Sequence, residues 1–408
     1  MELSHIDLCD PDTFLAGVPH AEFAKMRRET PVFWHEEAAG PGFWAVTRHR
    51  DLVAVNRDTH TYSSFLRTSL FQEFDEELLN QQRMMLVNMD PPLHTRYRRL
   101  VNKGFTPRMV AELEENVVTR TRAILDRALE MGSFDFVEEA ASELPLQVIA
   151  ELMGVPEEDR HLVFEWSNRM IGSVDPEYNS SPENATEASM ELFAYADQLT
   201  AERKAEPHED LLSILAHAEV DGDKLDQLEI DLFFLLLAVA GNETTRNLIS
   251  HGTLLLIENP DERRRLAGHP ELLDTAIEEM LRCASPVMHF RRTATKDTVL
   301  SGRDVSEGDK VVFWHISANR DEDVFDDPMR FDVGRTPNDH VAFGGGGAHF
   351  CLGANLARME IKVMFTEMMR VMPELELTGP VSRLRSNFIN GIKHLPVQPA
   401  GRPAMARA

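Results

Sequence analysis

Residues 343–358 read FGGGGAHFCLGANLAR: four consecutive glycines, one cysteine, and then the start of a helical pattern. Four glycines in a row permit backbone conformations closed to other residues and let a flat object approach closely. A phosphate cradle is the obvious rival. No Lys-Ser/Thr pair follows, however, and the G-x-G-x-x-G spacing does not fall within a strand–turn–helix unit. What remains is a thiol, Cys351, at the N-terminal end of a helix, where amides and the helix dipole would stabilise a thiolate. A lone thiolate at the edge of a flat pocket suits axial ligation of haem iron. A lone cysteine is more often a buried structural residue; the glycine context weighs against that here.

Upstream, Asp226 to Glu258 reads as one helix stopped by Asn259-Pro260. Its centre, AGNETT at residues 240–245, joins the most apolar run of the chain to residues that weaken helices, with Gly alone costing about 1 kcal/mol against Ala. Polar residues at a buried helix centre are a local conflict of the kind found at functional sites. Glu243 and Thr244 place a carboxyl and a hydroxyl side by side, enough to organise water and relay protons. The ordinary alternative is a threonine bonded back to the preceding turn and a glutamate facing solvent. Between these two stretches, Glu279 and Arg282 lie three apart on a helix and share a face; apolar Ala276, Ile277, Met280 and Leu281 around them predict burial.

The rest of the 408 residues sets bounds. With 43% hydrophobic and 27% charged residues, the chain has material for a large core and is neither a disordered tail nor a fibrous rod. Cys9, Cys283 and Cys351 are the only cysteines, far apart and odd in number, so neither a zinc pair nor a disulfide framework is expected. Lys and Arg number 42 against 68 Asp and Glu, a net charge of −26 that repels nucleic acid and anionic membranes. No signal-type N-terminus is seen, and the run Leu232–Ala240 is about half of the ~20 residues a spanning helix needs. A soluble cytoplasmic protein in a reducing compartment is the expectation.

Helical periodicity dominates the chain. Thr106-Pro107 opens a helix whose apolar residues, Val110, Leu113, Val117, Ile124 and Ala128, recur until Gly132. Similar patterns cover Leu144–Met153, Met190–Ala205, Leu272–Ala284 and Ala354–Val371. Strands are expected at Gly42–Thr47 and Lys310–Ile316, with a late hairpin turning on Asn390-Gly391 between Phe388-Ile389 and Ile392. A flexible loop is expected from Pro176 to Ala188. The fold class is therefore mainly α with a small β portion, as one domain over residues 1–408.

Taken in order, AGNETT, Glu279-x-x-Arg282 and the Cys351 loop make the chain resemble the cytochrome P-450 family of haem-thiolate monooxygenases over nearly its whole length. One departure stands out. Phe343 lies eight residues before the cysteine where the family's commonest form has seven, while Gly347, His349, Cys351 and Gly353 keep their places. The resemblance implies the family's fold, with haem b between the central helix and the helix after the cysteine. It implies Cys351 as iron ligand, Ala240 as a haem contact and Glu243–Thr244 as the acid–alcohol pair delivering protons to dioxygen. Glu279 and Arg282 would brace the cysteine loop, completed by either Arg330 or Arg335. His94 and Arg98 in DPPLHTRYRRL, Arg292 and His349 would hold the two haem propionates.

The resemblance also bears on partners and substrate. Arg96, Arg98, Arg99, Lys103 and Arg108 form a basic island without acids; its exposed members would dock an acidic ferredoxin, itself served by an NAD(P)H-dependent reductase. A solvated helix face is the alternative. The motif neighbourhoods look like those of actinobacterial members that hydroxylate sterol side chains or methyl-branched lipids. Val87, Val239, Val287, Met288 and Phe388 would wall an apolar pocket, with His289 and Asn387 as polar contacts or satisfied neighbours. Terpenoid and fatty-acid hydroxylation, a peroxygenase, and a haem sensor or carrier without turnover remain as other readings.

Overall fold

The central helix begins where its cap is strongest. The Asp226 carboxylate accepts the Glu229 N–H and the Glu229 carboxylate accepts the Asp226 N–H, both at 2.8 Å, a reciprocal box that satisfies two free amides. From there the computed structural model, which describes residues 6–38, 40–171, 175–178, 181–220 and 222–400, runs unbroken helix over Gln227–Glu258. At ~1.5 Å per residue this rod is about 48 Å long. Gly241 does not break it. A Cβ there would come within 2.8 Å of the Ile149 side chain, so the glycine lets the helix Glu143–Met153 lie close. Gly252 does the same against Phe365 and Met280, admitting the helices Ala354–Val371 and Leu273–Ala284.

These helices, with Pro107–Met131, share one large apolar core. Thr106 caps the last of them by accepting the Met109 N–H, and Gly132, at φ +77°, ends it. Beside the bundle lies a five-stranded sheet in the order Val32–His35, Phe43–Val46, Lys310–Trp314, His289–Ala294, Tyr62–Ser63. Its register pairs Phe313 with Phe290 and Val311 with Arg292, and two smaller apolar clusters cover its faces. The expectation of a mainly α fold with a small β portion agrees with this architecture. Among the described residues no helix is long and apolar enough to cross a membrane.

Three local expectations differ from the structure. Pro182–Ala205 is one helix, opened by Ser181 accepting the Asn184 N–H and by a first-turn proline; most of the expected 176–188 loop is therefore helical, and residues 179–180 lie outside the described residues. The strand from Lys310 stops at Trp314 because His315–Ala318 turns into a short helix. Asn390-Gly391 does not turn a hairpin. Ile389 bridges to Val287, while Ile392–His394 pairs with Ser382–Arg383. Asn390 is buried instead and donates its amide to the Ala284 carbonyl at 2.6 Å, tying the segment to a helix end.

Candidate active site

The glycines of the cysteine loop are used for their backbone. Gly344, Gly345, Gly346 and Gly347 all have φ between +65° and +101°, and a Cβ on Gly347 would meet the Asn56 carbonyl at 3.1 Å. Asn56 itself donates its amide to the carbonyls of Gly344 and, at 2.9 Å, Gly346. The loop closes where the Cys351 N–H meets the Phe343 carbonyl at 3.0 Å. Phe343 thus spans the extra residue, and its ring lies 4.6 Å from the Arg358 guanidinium. Cys351 keeps accessible surface although protein atoms surround it on nearly every side. Burial pushes its thiol up, against the pull of the Gly353 amide, Arg98 and Arg358. The expected amide stabilisation is real but outweighed, so a thiolate there calls for a further positive charge, such as a metal ion.

A buried ionic brace stands behind the loop. Arg282 and Glu279, both fully buried, meet through two bonds of 2.7 Å. Arg335, not Arg330, completes the network, reaching both Glu279 oxygens at 3.1 and 3.0 Å. Arg330 contributes its carbonyl to Arg282 while its side chain points to Glu262. One residue earlier, Glu278 holds Arg358 of the cysteine helix at 2.6 Å and His340 at 2.9 Å. Against burial, which raises it, these partners hold the Glu278 carboxyl at about 2.

Four cation-capable side chains converge beside the loop. The His94 and His349 rings lie 4.3 Å apart. Arg98 donates to the carbonyls of Ala348 at 3.1 Å and Phe350 at 2.5 Å. Arg292 is wholly buried, bonded to Asn56 at 2.9 Å, with its Nε unpartnered. Burial lowers Arg292 to about 10, and burial with the neighbouring arginines lowers His94 to about 4 and His349 well below its usual value. Asp90 is the acid felt by His94 and Arg292. A buried cluster so rich in donors suits a dianion, which is the fit that haem propionates require.

The central helix offers a matching face. Among residues 230–257 Ala240 alone is exposed, and Leu236 and Thr244, one turn to either side, are half-buried. Ala240 thus keeps accessible surface midway along an otherwise buried stretch of helix. Thr244 donates its hydroxyl to the Ala240 carbonyl at 2.8 Å. Glu243 faces elsewhere: it is buried in an ion pair with Arg246, whose other nitrogen reaches Asn168 at 3.1 Å. Burial raises the Glu243 carboxyl, opposed by Arg246.

Of the expected pocket walls, Val87, Val239, Val287 and Phe388 are half-buried, and the Met288 N–H donates to the Phe388 carbonyl at 2.9 Å. The Met288 side chain belongs to the core cluster of Phe14, Phe23 and Trp314. His289 is fully buried among Phe71, Trp314 and Phe388, and Asn387 is satisfied by the carbonyls of Leu8 and Cys9. In the basic island Arg99 and Arg108 are exposed, Arg98 is committed to the loop, and the Lys103 side chain lies outside the described residues. Sequence reasoning missed Asn56, the Glu278–Arg358–His340 brace and Arg246. The last stood three residues after Glu243, a spacing that signals pairing.

A model of the family described as cytochrome P450 matches residues 16–372. A steroid C26-monooxygenase of Rhodococcus jostii is 43% identical over 400 residues, 96% of this chain and 84% of that protein. A methyl-branched lipid omega-hydroxylase of Mycobacterium tuberculosis is 43% identical over 407 residues, 97% of this chain and 94% of that protein. A Mycobacterium marinum cytochrome P450 solved in complex with pseudoionone superposes with a TM-score of 0.90 at 40% identity, covering 97% of this chain and 98% of that one.

Proposed function

The chain belongs to the cytochrome P450 family, and from that premise we propose that it hydroxylates a lipophilic substrate, a sterol side chain or a methyl-branched lipid. It is a monooxygenase. The observation that carries the reading of the site is the convergence of His94, Arg98, Arg292 and His349 beside an accessible but enclosed thiol. Cys351 would hold the iron of haem b, the four donors its propionates, and Ala240 would contact the ring. When bound, the thiolate-ligated haem supplies the reductive activation of dioxygen, with electron density from sulfur favouring O–O cleavage.

The chain's own residues do the rest. The half-buried apolar side chains Val87, Val239, Val287 and Phe388 would exclude water and orient an apolar substrate. Thr244 would present a hydroxyl donor, recharged with protons through Glu243. Electrons would come from NAD(P)H through a ferredoxin reductase and a ferredoxin docking at the basic island, and the location proposed is the cytoplasm. Arg99→Glu is expected to slow reduction severalfold and to flatten its dependence on ionic strength, followed by stopped-flow absorbance.

The spectrum of the dithionite-reduced protein under carbon monoxide tests the site. A strongly red-shifted Soret band that disappears in Cys351→Ser is the expected result; an imidazole-type spectrum in the parent would overturn the ligand assignment. A panel of sterols, methyl-branched lipids, fatty acids and terpenoids, scored by the shift in haem spin state, then tests the substrate class. The proposal predicts the tightest binding among the first two.

A further inference from the structure

The strand His289–Ala294 sends alternate side chains to opposite faces. Arg292 takes the face that carries Asn56 and the glycine run. His289 and Arg291 take the other, together with Trp314 and Lys310 of the paired strand. All four are buried. The stretch between Ser63 and Glu76 folds onto this second face and brings two side chains to it. The Phe71 ring lies 5.4 Å from that of His289 and 4.0 Å from the Lys310 ammonium. The exposed Glu73 reaches Arg291 with both carboxylate oxygens, at 2.7 and 3.4 Å, and Lys310 at 3.5 Å. Lys310 has a second acid, Glu37 at 2.7 Å, whereas Arg291 meets no other carboxylate among the described residues. The Arg291 Nε, both ring nitrogens of His289 and the Trp314 Nε1 are buried without a partner. At the inner end of this row Phe388, one of the apolar pocket walls, packs on His289 at 5.4 Å.

We propose that Arg291 and Lys310 form the seat for a substrate carboxylate, and that Phe71 and Glu73 hold that seat as an internal stand-in. The proposal rests on the reading of the chain as a lipid hydroxylase. It narrows the substrate class to a long-chain acid, oxidised at its branched methyl end with the carboxylate outward. Charge balance is the first argument. Without Glu73, two buried cations share one acid, Glu37, and a buried cation left unpaired is costly. Whatever displaces Glu73 must therefore bring its own negative charge. Exposure is the second. Glu73 regains water when it leaves, which the buried Arg291 cannot, and an incoming carboxylate restores the same two-oxygen contact. The third is the order of groups. An apolar ring on His289 followed by an acid on Arg291 reproduces, from Phe388 outward, an acyl chain that ends in its carboxylate. A neutral sterol offers nothing to this seat.

The test titrates three probes into the haem-loaded enzyme and reads the shift in haem spin state: isopalmitic acid, a terminally methyl-branched fatty acid, its methyl ester, and cholesterol. Glu73→Gln removes the internal occupant at an exposed position and spares the fold. Affinity for the acid should then rise about fivefold or more, because the seat is no longer contested. In this variant the acid should also bind about tenfold more tightly than the ester. Adding Arg291→Gln removes both partners of the ion pair and leaves no buried charge unmatched, and the preference for acid over ester should shrink to within about twofold. Adding Arg291→Lys instead keeps the charge and should retain much of that preference. Unchanged acid affinity in Glu73→Gln would overturn the stand-in. Equal binding of acid and ester there, or a preference that survives Arg291→Gln, would overturn the seat. A spin shift with cholesterol alone would also overturn the seat while leaving sterol hydroxylation standing, and no shift with any probe would sink the lipid reading and the seat together.

Discussion

Among the described residues the half-buried Thr244 hydroxyl meets only the carbonyl one turn back, so its loss costs the fold little, within about 0.5–1 kcal/mol. Its proposed role is in proton delivery. Thr244→Ala should therefore keep oxidising NADH while product per NADH falls severalfold and hydrogen peroxide rises in its place; unchanged coupling would remove the residue from the relay. Arg335 makes the opposite case. Arg335→Ala leaves the fully buried Glu279 with one cation instead of two, which should lower stability by about 2–4 kcal/mol in urea unfolding and speed haem loss. Glu279 and Arg282 were readable in sequence because they are neighbours on one helix turn. Which arginine completes them was not: Arg335 lies 56 residues beyond Glu279. Asn56 was beyond reach for the same reason, since its partners lie 288 and 290 residues downstream in the glycine run.

At the scale of elements, the central helix shows how far local rules carry. Its cap, length and stop are all local, and all were legible. The reason for Gly241 was not, because it resides in another helix: a Cβ would strike Ile149 at 2.8 Å. Gly241→Ala gains about 1 kcal/mol of helix propensity but overpacks a tight contact, which costs about 1–3 kcal/mol. A net loss of about 1 kcal/mol is expected, and Ile149→Val, which removes a methyl at the contact, should recover it. A double-mutant cycle by thermal or urea unfolding reads the coupling directly; additive effects would show that the two helices do not touch there. The helix from Pro182 was misread as loop for a related reason. Its first turns, PENATEA, are polar and carry no apolar stripe until Ala188 is buried, so periodicity was silent and only the Ser181 cap and its proline marked the start. The Asn390-Gly391 pair carries a hairpin signature, yet burial against a helix end overrides turn preference.

At the scale of the whole molecule, the same burial that shapes the site dictates how the protein responds to acid. His251, His289 and His315 are buried and burial lowers each from 6.5 to about 3. Unfolded, each takes up a proton as pH falls below about 6.5; folded, it does not until about 3. Their depressed values therefore stabilise the fold fully above pH 6.5, and that contribution drains away as pH drops through the interval between. The Glu278 carboxyl, held at about 2 against its usual 4.5, adds a loss of the same sign lower down. Each proton bound only by the unfolded chain adds about 1.4 kcal/mol per pH unit to the slope once the unfolded imidazole is charged, so these three contribute about 4, and His20, His94 and His349, also lowered by burial, add to it with the same sign. Urea midpoints should accordingly be flat from pH 8 to 7 and fall steeply from 6 to 5, with unfolding complete before Glu278 titrates. His289→Leu offers the sharpest check. The ring has no hydrogen-bond partner among Phe71, Trp314 and Phe388, so an apolar side chain there should leave stability at pH 8 equal or higher. The acid slope should then fall by about 1.4 kcal/mol per pH unit, because one proton bound only by the unfolded chain is gone. A midpoint that does not move between pH 7 and 5, or a slope indifferent to His289→Leu, would show that these imidazoles are not held neutral by the fold.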